Sequence, residues 1–262
     1  MRDAQNKPTV FHQYLRERHA PYNYQSPITN YQLPITNYQL PIFMIEAVIF
    51  DMDGLLIDSE PLWQQAEITI FKQVDIILIP SMCLQTKGLR IDEVVEYWYK
   101  KYPWDKLSKK QVEEAIVDKL IELILTEGKA LAGVNEAINF VKAKNIKVAL
   151  ASSSSYKIIK AALEKLNITD DFEIIYSAES EPLGKPHPGV YLTTAEKLGV
   201  SPQNCLALED SLNGVLAAKA AQMKCIAIPE MSELHNPKFA IADMVLESLQ
   251  QLDDNIWDFV NT

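Results

Sequence analysis

Two aspartates stand two positions apart in Asp51-Met52-Asp53-Gly54, directly after the apolar run 45–50. Carboxylates that close repel each other unless a cation or a proton intervenes. Gly54 lets the chain turn sharply beyond them. Three more segments end in reactive groups. Val148-Ala149-Leu150-Ala151 closes on the hydroxyls of Ser152-Ser153-Ser154. Gly184-Lys185-Pro186-His187-Pro188 holds a lysine in a stiff loop bracketed by prolines. Leu206-Ala207-Leu208 closes on Glu209-Asp210-Ser211, and Asn213-Gly214 opens the next helix. Acids, hydroxyls and a lysine are residue types that can do chemistry when brought together.

These segments need elements to bring them together. Short apolar, β-branched runs at 45–50, 146–151, 173–177, 205–209, 224–228 and 243–246 read as strands. Helical patterns fall between them near 133–144, 155–166, 188–198 and 211–221. The alternation predicts an α/β fold, a doubly wound, Rossmann-like parallel sheet. Ligands of such sheets bind beyond the carboxyl ends of the strands, where strand order reverses. Residues 60–127 break the alternation and read as a helical block between strands 1 and 2. Ser108 followed by Gln111 predicts a capping box that starts a helix running to Glu127. The block reads as a cap over residues 44–59 and 128–262, excluding water and choosing the substrate. Singly, a DxD reads as a turn, Ser152 as a helix cap and Lys185 as a surface charge. In this order, each at a strand end or in a loop, they read as one site.

The 262 residues are 48% hydrophobic and 23% charged, as in a globular domain. No apolar run approaches the ~20 residues that span a bilayer. A net charge of -10 speaks against non-specific nucleic-acid binding. Cys83, Cys205 and Cys225 lack metal-ligand spacing, and the expectation is reduced thiols in a cytoplasmic protein. Residues 1–43 differ in kind. Asn-Tyr-Gln recurs from Asn23, Asn30 and Asn37 with a proline in each repeat, which excludes a continuous helix or coiled coil. They read as a disordered or artefactual extension, with Met44 as the natural start.

From Met44 to about residue 250 the chain resembles the haloacid dehalogenase superfamily. Within its β-phosphoglucomutase-like group it resembles the bacterial 2-deoxyglucose-6-phosphate (hexitol phosphate) phosphatases. The resemblance rests on the stretch from Asp51 to Trp63, Gly88-Leu89-Arg90-Ile91-Asp92, Lys185-Pro186-His187-Pro188 and Ala207-Leu208-Glu209-Asp210-Ser211. It implies a cap-bearing, Mg²⁺-dependent phosphatase of small phosphorylated sugars; a monomer is the default expectation, and the sequence leaves the oligomeric state open. Asp51 would be the nucleophile that forms an aspartyl-phosphate, and Asp53 the acid and then the base. Asp51, Asp53 through its backbone carbonyl, Asp210 and Glu209 would hold Mg²⁺. Ser152, Ser153 and Lys185 would hold the phosphoryl oxygens. On the cap, Trp63 would meet the sugar, while Lys87 and Arg90 would reach a second anionic group. Trp98 and Trp104 are further aromatic candidates for that sugar-facing surface, and at least two of the three tryptophans are expected in the cap interior. The alternatives are a β-phosphoglucomutase, which typically has a histidine where Trp63 stands, and a non-catalytic sugar-phosphate-binding protein.

Overall fold

The computed structural model describes residues 44–261, so the expectation for residues 1–43 lies outside the described residues. Its sheet is formed by β1 (Ala47–Phe50), β2 (Lys147–Ser152), β3 (Ile174–Ser177), β4 (Cys205–Glu209), β5 (Lys224–Ala227) and β6 (Met244–Val245). The order is β3-β2-β1-β4-β5-β6 and every pairing is parallel, the doubly wound arrangement that the alternation predicts. β1 is central, with Phe50 opposite Leu150 of β2 on one side and Leu208 of β4 on the other. All its residues are buried, as in a strand covered on both faces.

The helices are α1 (Glu60–Phe71), α2 (Pro80–Cys83), α3 (Ile91–Lys101), α4 (Lys109–Glu127), α5 (Val134–Ala143), α6 (Tyr156–Leu166), α7 (Gly189–Leu198), α8 (Leu212–Ala220) and α9 (Asp254–Val260). Alternate strand residues point to opposite faces, and the two faces differ in bulk. One carries Val48, Phe50, Val148, Leu150, Leu206 and Leu208, packed with residues of α5, α6 and α9. The other carries Ala47, Ile49, Ala149, Ala151, Cys205 and Ala207 against α7 and α8. Small side chains there let the helices approach closely, and Tyr191 of α7 is wholly buried. The three cysteines are free and buried. Among the described residues no helix is long and apolar enough to cross a membrane.

The helices from α1 to α4 lie between β1 and β2 in the chain, where the sequence breaks its alternation. Trp98 and Trp104 are buried there, each edge-on to Phe71. The apolar interior of this insert is continuous with the bulky face of the sheet. α4 starts at the predicted capping box: Gln111 N donates to Ser108 Oγ at 3.2 Å, and Ser108 N donates to Gln111 Oε1 at 2.9 Å. Ser108→Ala should therefore lower stability by about 1 kcal/mol, read as a lower urea midpoint with an unchanged slope.

Candidate active site

Strand order reverses between β1 and β4, and the polar residues converge there. Asp51 follows β1, Glu209 ends β4 and Asp210 follows it, while Ser152 ends β2. Lys185 comes from the loop before α7. Oxygens of Asp51, Glu209 and Asp210 lie within 4.8 Å of one another. Lys185 Nζ donates to Asp51 Oδ1 at 2.8 Å, to Glu209 Oε1 at 2.6 Å and to the Ala151 carbonyl at 3.2 Å. Tyr191 from α7 donates its hydroxyl to the same Glu209 oxygen at 2.5 Å. α8 begins so close to Glu209 that a Cβ on Gly214 would overlap its carboxylate.

Burial and like charge dominate the electrostatics. Burial, with Glu209 alongside, pushes the Asp51 carboxyl well above the usual carboxylate range, against the pull of Lys185. Burial pushes Asp210 up to about 7, with Lys87 opposing the rise. Burial also works against the Lys185 charge, but Asp51 and Glu209 outweigh it and hold the ammonium more firmly protonated than an exposed lysine. The donor set suits a hard divalent cation: among the described residues the three carboxylates pair with two cations, Lys185 and Lys87, so carboxylates are in excess. Lys87 Nζ pairs with Asp210 Oδ2 at 2.9 Å. Gly54, at a φ of 72°, brings the backbone so close to this oxygen that a Cβ would overlap it.

Asp53 is held from two sides. Ser59 Oγ and Trp63 Nε1 donate to its Oδ1 at 2.7 and 2.9 Å, and Ser154 Oγ donates to its Oδ2 at 2.7 Å. Sequence reasoning assigned no role to Ser59 or Tyr191, and named Ser154 only as one hydroxyl of the run after strand 2. The serine run after β2 is a signal that could have found Ser154; nothing local marks the other two. Trp63, expected to face a sugar, gives its indole N–H to Asp53. Ser152 Oγ accepts from Ser154 N at 3.0 Å, which leaves its own hydrogen for another acceptor.

Two expected residues have other work. Ser153 Oγ donates to the Gly88 carbonyl at 3.0 Å, and a hydroxyl has one hydrogen, so in this arrangement it has none for a phosphoryl oxygen. Arg90 is engaged elsewhere in this structure. Its guanidinium donates to the carbonyls of Ala178 and Glu181 at 3.1 and 2.6 Å and pairs with Asp92. Glu93 accepts from Gly184 N at 3.1 Å, so the start of α3 is stitched to the loop carrying Lys185. Lys87 likewise pairs with Asp210. Sheet and insert enclose a cavity of about 50 Å³ bordered by Asp51, Asp53, Lys185, Asp210, Trp63 and Glu67, among others.

Residues 45–222 match the family described as haloacid dehalogenase-like hydrolase. The chain belongs to this family. Hexitol phosphatase B of Escherichia coli (strain K12) is 44% identical over 195 residues, which is 74% of this chain and 88% of that protein. CbbY from Rhodobacter sphaeroides, solved in complex with phosphate, has a TM-score of 0.74 and 28% identity, covering 80% of this chain and 96% of its own. β-Phosphoglucomutase from Clostridium difficile has a TM-score of 0.73 and 30% identity, covering 83% and 98%. This haloacid dehalogenase-like hydrolase is thus an enzyme, a phosphatase. Trp63→Phe keeps a ring but removes the donor to Asp53. It should lower kcat for phosphate release about tenfold, roughly the 1.4 kcal/mol of one hydrogen bond to a charged group, and change KM less.

Proposed function

We propose that the chain is a Mg²⁺-dependent phosphatase of small phosphorylated sugars and sugar alcohols, working through an aspartyl-phosphate. The observation that carries this reading is the meeting of Asp51, Lys185 and Asp210 beside an Asp53 held by three donors. Asp51 attacks phosphorus, the bond to the sugar oxygen breaks, and Asp53 gives that oxygen its proton. Water then attacks the phosphorus of the aspartyl-phosphate, Asp53 takes the proton back, and phosphate leaves. Lys185 and the Ser152 hydroxyl face the phosphoryl oxygens and offset their charge. Asp51, Asp210, the Asp53 carbonyl and Glu209 would hold Mg²⁺, which neutralises charge on the attacking and transferring groups.

The helices of residues 60–127 act as the cap in this reading. Their cavity of about 50 Å³ has room for a few waters and none for a hexose, so substrate enters when the cap shifts. The 44% identity to hexitol phosphatase B supports a sugar-alcohol phosphate as substrate. Trp63, where mutases typically carry histidine, supports hydrolysis over transfer. The buried free thiols support a cytoplasmic setting.

A panel of 2-deoxyglucose 6-phosphate, mannitol 1-phosphate and sorbitol 6-phosphate should give free phosphate that EDTA abolishes and Mg²⁺ restores. Asp51→Asn should be inactive. Equal signal with EDTA, with Asp51→Asn and without either change refutes the reading, and glucose 6-phosphate formed from β-glucose 1-phosphate would favour the mutase. A second prediction comes from Asp51 and Asp210. Their raised pKa values mean the metal-free folded protein keeps protons that the unfolded chain has released. These two groups therefore lower stability as pH rises from the usual carboxylate range through about 7. Mg²⁺ needs them ionised, so it should raise Tm more at about pH 8 than at about pH 5.5.

A further inference from the structure

The catalytic groups leave one buried acid of the same cavity unused. Glu60, Trp63 and Glu67 lie on one face of α1, and all three border the cavity that holds Asp51 and Asp53. The Trp63 indole on Asp53 fixes the direction of that face. Glu67, one turn further on, is only 5% exposed. The Cys83 thiol is its polar neighbour, and its Oε2 has no hydrogen-bond partner. A buried oxygen left without a donor destabilises a fold, and an apolar side chain would pack there without that penalty. Burial pushes the Glu67 carboxyl up to about 8, so at neutral pH the group is largely a carboxylic acid, with one hydrogen to give and a lone pair to receive.

What Glu67 faces follows from the reading above, on which this inference rests. The phosphoryl group lies against Asp51, Lys185 and Ser152, and Asp53 meets the bridging oxygen. The body of the departing alcohol then extends past Asp53 toward α1. The cations bordering this cavity are Lys185 and Lys87, and both already pair with carboxylates. Glu60 and Glu67 are acids. A second phosphate on the leaving group would meet no free cation and two acidic side chains, whereas a hydroxyl matches an acid that both donates and accepts.

We propose that Glu67 is a specificity residue that binds a hydroxyl of an uncharged polyol leaving group, so that the preferred substrates are monophosphates of neutral sugars or sugar alcohols. A site built to bond a hydroxyl discriminates against an analogue without one, because its own polar group is left unpaired.

The test compares kcat/KM for sorbitol 6-phosphate with that for p-nitrophenyl phosphate, which has no hydroxyl beyond the ester. Taking the ratio on one preparation cancels any loss of folded enzyme. Glu67→Leu, which fills the space without hydrogen bonding, should lower the ratio about tenfold or more. Glu67→Gln, which keeps a neutral donor and acceptor, should hold it within about threefold. A ratio unmoved by Glu67→Leu, or lowered as far by Glu67→Gln, overturns the assignment. An unaltered protein that hydrolyses neither ester overturns the phosphatase reading itself, and the assignment with it.

Discussion

Lys185 carries a full charge where water scarcely reaches, and the geometry of the site depends on how that charge is met. It touches Asp51, Glu209 and a carbonyl of the β2 strand end at once, joining groups from four separate parts of the chain. Without it, Asp51 and Glu209 would face each other unscreened in a medium of low dielectric, where like charges repel far more than in water. Glu209 is in turn committed to orientation: one of its oxygens takes both Lys185 and Tyr191, and Gly214 leaves it room. The lysine is thus the keystone of the sheet side, and Glu209 and Tyr191 hold it in position.

The insert treats Asp53 differently. Here no cation is the nearest partner. Two hydroxyls and an indole fix the directions of the carboxylate oxygens, with Ser59 just before the insert, Trp63 on its first helix and Ser154 beyond β2. One aspartate is set by charge and its near neighbour by directional neutral donors, which suits two groups asked to do different work. The Arg90 and Glu93 contacts to the loop before α7 tie the insert to the same region that positions Lys185.

Much of this architecture was legible in the sequence because it rests on local patterns. The strands fall where β-branched runs end in polar residues, and the Ser108 box starts its helix as the spacing predicts. The acids and the lysine were legible because they sit at strand ends, where topology forces convergence. Side-chain partners were not. Ser59 looks like a helix cap, and Tyr191 like one more apolar position of a buried helix, until the fold brings an acid against each. Arg90 and Ser153 look free to bind a ligand, but distant backbone carbonyls accept from both, and Asp92 takes the rest of the guanidinium's bonds. Such pairings depend on tertiary distance, which carries no local signature.

The central place of β1 has a consequence during synthesis. Its flanking neighbours, β2 and β4, begin at Lys147 and Cys205, so most of the chain leaves the ribosome before both edges can be paired. The helices from α1 to α4 form in the meantime from nearby contacts, while four consecutive apolar residues wait unzipped. A nascent chain of this kind presents an apolar ribbon for as long as translation continues past the insert, and the bond from Asp51 N to the Leu208 carbonyl can form only when β4 arrives.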